Sequence, residues 1–166
     1  EVSKGKTMLT AEGRKYIVGM QGQLWSETVK SGEMMEQYIF PKIFGMAERA
    51  WAAPPVWEEV ADTDTRRAAL DKGWNQFANT VGQEEMPRLD FLAGGINYRI
   101  PPAGAKIEND QLIANTAFPG LNIRYTTDGS EPTMESAIYE KPLSANQQIK
   151  LKVFSPNGHS SRTVTL

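Results

Sequence analysis

Apolar positions change their spacing partway along the chain. Between Glu33 and Ala52, the residues Met35, Ile39, Ile43, Met46, Ala47 and Ala50 recur at mostly three- and four-residue intervals, the period of an amphipathic helix. Pro41 sits inside that run, where it removes a backbone donor and crowds the preceding turn. It predicts a kink or a junction between two helices, and Pro54-Pro55 predicts the stop. A further helix is predicted from about Thr65 to Val81, with Asp62 or Asp64 as N-cap, Leu70, Trp74, Phe77 and Val81 as its buried stripe, and Gly82 as its terminator. Upstream, Lys15 to Met20 reads as a short strand, because Tyr16, Ile17 and Val18 supply β-branched and aromatic bulk.

Past Arg99-Ile100-Pro101-Pro102-Ala103-Gly104 the period becomes two. Ile149, Leu151 and Val153 alternate with Lys150, Lys152 and Phe154, and Val164 and Leu166 alternate with Thr163 and Thr165. Pro156-Asn157-Gly158 lies between these runs, and Asn-Gly is a strong hairpin signal. Thr127-Asp128-Gly129 predicts a second turn. Strands are expected near 105–108, 111–116, 122–127, 137–140, 147–154 and 161–166, which suggests a small antiparallel sandwich. The Pro/Gly punctuation is taken as a boundary, with a mostly helical part over 1–100 and a β-part over 101–166. So small a β-part, without a disulfide, is expected to lean on the helical part for stability.

Composition narrows the chemistry. The formal charge of −2 argues against nucleic acid, which needs a basic footprint. No run approaches a membrane span of about 20 apolar residues. Cysteine is absent and His159 is the single histidine, which excludes thiolate nucleophiles, disulfides and any site built on two histidines. No metal and no cofactor is expected. The chain opens Glu1-Val2-Ser3-Lys4 without an initiator Met, and it is read as a piece of a longer protein.

Three ordered stretches carry a family resemblance. The first is Gly19-Met20-Gln21-Gly22-Gln23-Leu24-Trp25-Ser26-Glu27, followed by Tyr38-Ile39-Phe40-Pro41-Lys42 and Ala47-Glu48-Arg49-Ala50-Trp51. The second is Gly95-Ile96-Asn97-Tyr98-Arg99. The third is Phe118-Pro119-Gly120 with Ile123-Arg124-Tyr125-Thr126-Thr127-Asp128-Gly129-Ser130-Glu131-Pro132-Thr133. In this order they resemble the C-terminal end of glycoside hydrolase family 20, the β-N-acetylhexosaminidases and chitobiases. The resemblance implies an α+β piece: the last strand and helix of a (β/α)8 barrel, then a small immunoglobulin-like β-sandwich.

The resemblance also implies roles for two residues. Taken alone, Trp25 reads as a core aromatic, and Glu27 as a solvated charge or a helix N-terminal acid. An indole two residues from a carboxylate on an extended segment can share one face with it, offering a flat apolar surface beside a hydrogen-bond acceptor. In the family, the residue matching Trp25 walls the terminal sugar subsite and the one matching Glu27 binds sugar hydroxyls. The family's catalytic Asp-Glu pair, which supports substrate-assisted retaining hydrolysis, has no counterpart: the chain contains no Asp-Glu dipeptide. Glu58-Glu59 and Glu84-Glu85 read as surface.

The parent is therefore expected to be an enzyme that removes terminal N-acetylhexosamine from glycans or chitooligosaccharides. The isolated piece is expected to be inactive and prone to self-association. The family suggests a periplasmic, cell-surface or secreted location. The alternative is a non-catalytic β-sandwich that binds glycan or protein, which an exposed row of two rings among Phe118, Tyr125, Tyr139 and Phe154 would favour. Trp51, Trp57 and Trp74 are read as core or interdomain packing, Glu48 and Arg49 as a structural ion pair or helix surface, and His159 as solvent-exposed.

Overall fold

The computed structural model describes residues 9–166, so the opening Glu1–Lys4 lies outside the described residues. Helix α1 (Ala11–Arg14) is a single turn capped by Thr10, whose hydroxyl accepts from the Gly13 amide at 2.9 Å. The strand predicted over Lys15–Met20 is absent. Lys15 and Tyr16 close the α1 turn through bonds to Glu12 and Gly13, and residues 17–26 run on without a ladder. A strand needs a neighbour for its backbone donors and acceptors, and among the described residues none lies alongside.

Pro41 divides the next helical run as predicted, into α2 (Gly32–Ile39) and α3 (Lys42–Trp51). Ser31 caps α2 by accepting from the Met34 amide at 3.1 Å. The next helix, α4 (Thr63–Thr80), is capped by Asp62, which accepts from the Thr65 amide at 2.8 Å. Gly82 does not end this run. The backbone passes through a π-helical turn at Val81–Glu85 into α5 (Met86–Leu89). The glycine serves a close approach instead. A Cβ at Gly82 would overlap the Pro119 carbonyl oxygen and sit 3.0 Å from Phe118 Cβ, and one at Gly120 would lie 3.1 Å from the Gly82 oxygen.

Seven strands follow: β1 (Gly104–Glu108), β2 (Gln111–Asn115), β3 (Asn122–Thr126), β4 (Ala137–Ile138), β5 (Leu143–Ser144), β6 (Lys150–Phe154) and β7 (Val164–Thr165). They form two antiparallel sheets, ordered β1-β2-β5 and β4-β3-β6-β7. Asn109 and Asp110, at φ 50° and 57°, turn β1 into β2, the left-handed pair that matches strand twist in a tight hairpin. Tyr139 ties the sheets together: its hydroxyl accepts from the Ala114 amide at 2.9 Å and donates to the Leu112 carbonyl at 3.3 Å.

The core crosses from helix to sandwich. Val81, Met86 and Leu89 from the helical run and Tyr98 and Ile100 from the connecting segment join Leu112, Ile123, Leu151 and Val153 in one buried cluster. Trp74 reaches the same junction, with its ring 5.8 Å from Phe77 and 6.4 Å from Phe118. Leu70 and Trp74 nonetheless stay about half exposed, so only the C-terminal end of the predicted α4 stripe is buried.

Gly82→Ala should lower stability by about 1–3 kcal/mol, the usual cost of overpacking where the neighbour is backbone. Gly32→Ala, with open space around it in α2, should be neutral or slightly stabilising. Urea midpoints of the two variants check the contrast, and equal midpoints would remove the close approach as a constraint.

Acid should weaken the fold through three exposed carboxyls. Hydrogen bonds from Thr65, Ser130 and Thr163 hold Asp62, Asp128 and Glu131 below their ordinary values of 3.8, 3.8 and 4.5. A depressed folded pKa contributes stability above the unfolded value and loses it as pH falls through the folded one. The urea midpoint should therefore hold steady above about pH 5 and fall below about pH 4. Asp128→Ala should flatten part of that fall.

Candidate functional site

Trp25 and Glu27 lie on the irregular segment between α1 and α2, which closes at its far end with a turn from Ser26 to Val29. The segment passes α3 at Gly22, where a Cβ would sit 2.7 Å from the sulfur of the flexible Met46 side chain. Trp25 is 72% exposed, and Glu27 is exposed with no hydrogen bond or ion pair among the described residues. Their surroundings are apolar and uncovered, with Ile17, Val18, Met20 and Leu24 exposed on the same segment and Met35, Ile43 and Trp51 exposed on α2 and α3. The expectation that Trp51 packs is corrected here: it is 80% exposed. Trp57 does pack, with its ring 3.9 Å from the Cβ position of Gly73 on α4. Arg49 and Glu48 form the anticipated surface pair at 3.4 Å.

A second constellation was not legible from residue spacing. His159, expected in solvent, is half-buried. Its Nε2 lies 3.1 Å from Asp90 Oδ1 and its ring centroid 4.7 Å from that of Tyr98. The Asn157 side-chain amide donates to the other Asp90 oxygen. The Asn157-Gly158 turn, predicted from sequence, thus carries His159 back onto the end of α5. Burial pushes the Tyr98 phenol up to about 12, with Asp90 adding to the effect and a Ser155 hydrogen bond opposing it. Tyr98 is therefore a neutral packing residue across the physiological range.

Beside this cluster opens a pocket of about 510 Å³, between α2, the 97–102 segment and the link from β6 to β7. Gln37, Asn97, Arg99, His159, Ser160 and Arg162 supply its polar lining. Two bonds hold the connecting segment against the end of α2. The Asn97 amide donates to Glu36 Oε2 at 2.8 Å, and the Arg99 amide donates to the Phe40 carbonyl at 3.2 Å. Among the described residues, no group of three or more His, Asp or Glu is placed to hold a metal ion, and no helix is long and apolar enough to cross a membrane.

Comparison with known proteins agrees with this layout. Residues 1–54 match the glycosyl hydrolase family 20 catalytic domain, and residues 85–163 match the chitobiase/beta-hexosaminidase C-terminal domain. The N,N'-diacetylchitobiase of Vibrio harveyi is 37% identical over 69% of this chain and 14% of its own length. The beta-hexosaminidase of Vibrio vulnificus is 32% identical over 93% of this chain and 20% of its own. That of Porphyromonas gingivalis is 30% identical over 87% and 17%. The chain spans a fifth or less of the length of these curated relatives. With the end of a family 20 catalytic domain in its first third and that family's C-terminal domain in its last half, the chain belongs to glycoside hydrolase family 20.

Proposed function

We propose that the chain is the C-terminal portion of a β-N-acetylhexosaminidase that removes terminal N-acetylhexosamine from glycans or chitooligosaccharides. The reaction would be substrate-assisted retaining hydrolysis. One observation carries the reading: Trp25 and Glu27 lie inside the segment that matches the catalytic domain, and both side chains are open to solvent. An exposed indole binds the apolar face of a sugar ring through dispersion and C–H contacts. A carboxylate two residues on accepts hydrogen bonds from ring hydroxyls. Neither residue is a general acid in this reading. Protonation of the leaving oxygen and orientation of the acetamido group fall to an Asp-Glu pair that the chain lacks. The parent would meet its glycans in the periplasm, at the cell surface or outside the cell.

The alternative, a sugar-binding sandwich, finds no support in the placement of its rings. Phe118, Tyr125 and Tyr139 are half-buried against the core and Phe154 is buried, so no pair of them forms an open stacking row.

In the intact parent, Trp25→Ala should cost about 1–3 kcal/mol of transition-state stabilisation, the scale of stacking on a flat ring. The loss should appear in kcat/KM with an unchanged thermal midpoint. An unfolded variant whose surviving fraction keeps normal kcat/KM would return Trp25 to the core reading. The 166-residue chain alone should leave a chromogenic N-acetyl-β-glucosaminide intact. Turnover that follows the protein through purification and disappears in Glu27→Gln would overturn these assignments.

The uncovered apolar residues of the Ile17–Trp25 segment and of α3 also favour self-association of the isolated chain. Light scattering should give a mass above one chain that falls when Val18 and Trp51 are both replaced by Lys. A single-chain mass at the same concentration would rule this out.

A further inference from the structure

The arginines of the fold differ in how they are satisfied. Arg49, Arg67 and Arg88 pair with Glu48, Asp71 and Glu85. Arg66 donates to the carbonyls of Val60 and Ala61, and Arg124 to that of Ser136. Past residue 40 this leaves Arg99 and Arg162, whose guanidinium groups have neither a carboxylate within 4 Å nor a hydrogen bond among the described residues. Both line the same pocket.

Neither nearby carboxylate pairs with these arginines. Glu36 Oε2 accepts from the Asn97 amide, and Asp90 accepts from the Asn157 side-chain amide and faces His159 Nε2 at 3.1 Å. The pocket wall therefore carries two cations without an ion-pair partner among the described residues, on segments far apart in sequence. Guanidinium groups present rigid donor forks that match carboxylate and phosphate oxygens. Gln37, Asn97 and Ser160 add neutral donors and acceptors. A volume of about 510 Å³ lies within the range of small-molecule sites, and the polar lining suits a hydroxyl-rich ligand over an apolar one.

We propose that this pocket binds an oxyanion, a carboxylate or phosphate, carried on a small saccharide, with Arg99 and Arg162 clamping the anion and Gln37, Asn97 and Ser160 meeting the hydroxyls. The site is separate from Trp25 and Glu27, neither of which lines it, so it stands or falls independently of the hexosaminidase reading.

The test is an amide-resolved NMR titration of the 166-residue chain at low salt with four probes: inorganic phosphate, glucose 6-phosphate, glucuronate and glucose. The charged probes should produce saturable shifts at Asn97, Arg99 and Ser160 with a Kd of about 1 mM, and glucose should produce none. R99Q and R162Q should each weaken binding about tenfold, and the double variant should abolish saturation. R99K, which keeps the charge and loses the fork, should bind less tightly than wild type. Both side chains are exposed, so the variants should keep the wild-type spectrum elsewhere. Glucose 6-phosphate binding tighter than phosphate would uphold a saccharide ligand, and equal binding would overturn the saccharide part. No saturable shift with any charged probe, or equal affinity in the double variant, would overturn the site.

Discussion

The fold turns on one backbone contact, between Gly82 in the helical run and the Pro119–Gly120 turn of the sandwich. No side chain fits between them: a Cβ on either glycine meets backbone atoms of the other segment. That approach lets Val81, Met86 and Leu89 enter the same buried cluster as Leu112, Ile123 and Leu151. The π-helical turn at Val81–Glu85 lies at the contact. An inserted residue of this kind shifts the helical face that follows it, and here it passes the buried face from the end of α4 to Met86 and Leu89. Two short sheets of two- to five-residue strands close a small core alone, so the helix end supplies apolar surface that the sandwich lacks.

The same contact explains which features could be read from sequence. Strand positions followed from local alternation and turn chemistry, and six of the seven strands fall where the period-two pattern and the Asn157-Gly158 turn put them. The strand left out is β5 (Leu143–Ser144), which directly follows Pro142. Asp62 and Pro41 act within one turn of their own positions, so the N-cap and the α2/α3 junction were legible. Gly82 was misread because a helix-ending glycine and a close-approach glycine look alike until the partner segment is known. The Pro101-Pro102 break marks the change of period, but the buried cluster runs through it, with Tyr98 and Ile100 on one side and Ala103 and Leu112 on the other. Packing across a proline break leaves no local trace in composition.

The candidate site divides in the same way. Trp25 and Glu27 could be singled out because they stand two residues apart in a family pattern. The Asp90–His159 pair could not, since a contact between the end of α5 and the link after β6 depends on the whole sandwich being folded against the helix. Placing a lone histidine beside a carboxylate requires the tertiary register that the Gly82 contact sets.

The finished and unfinished surfaces of the molecule lie at opposite ends of the sequence. From Val81 onward a continuous apolar core forms, although Phe91, Leu92 and Ile107 stay exposed, and the Tyr139 and Ser161 hydroxyls are bonded. From Val18 to Trp25 the chain presents apolar side chains to solvent, and its backbone is in no ladder among the described residues. An extended segment of that kind costs free energy in water and gains it when strands flank it on both sides. Trp25 and Glu27 are exposed on this open face. The open face needs a partner surface that supplies backbone donors, acceptors and apolar cover together, and a β-barrel wall supplies all three. A sugar subsite built on Trp25 and Glu27 would gain its rigidity from such a wall, because the described fold offers the segment little beyond its end turns and the approach of Gly22 to the flexible end of the Met46 side chain.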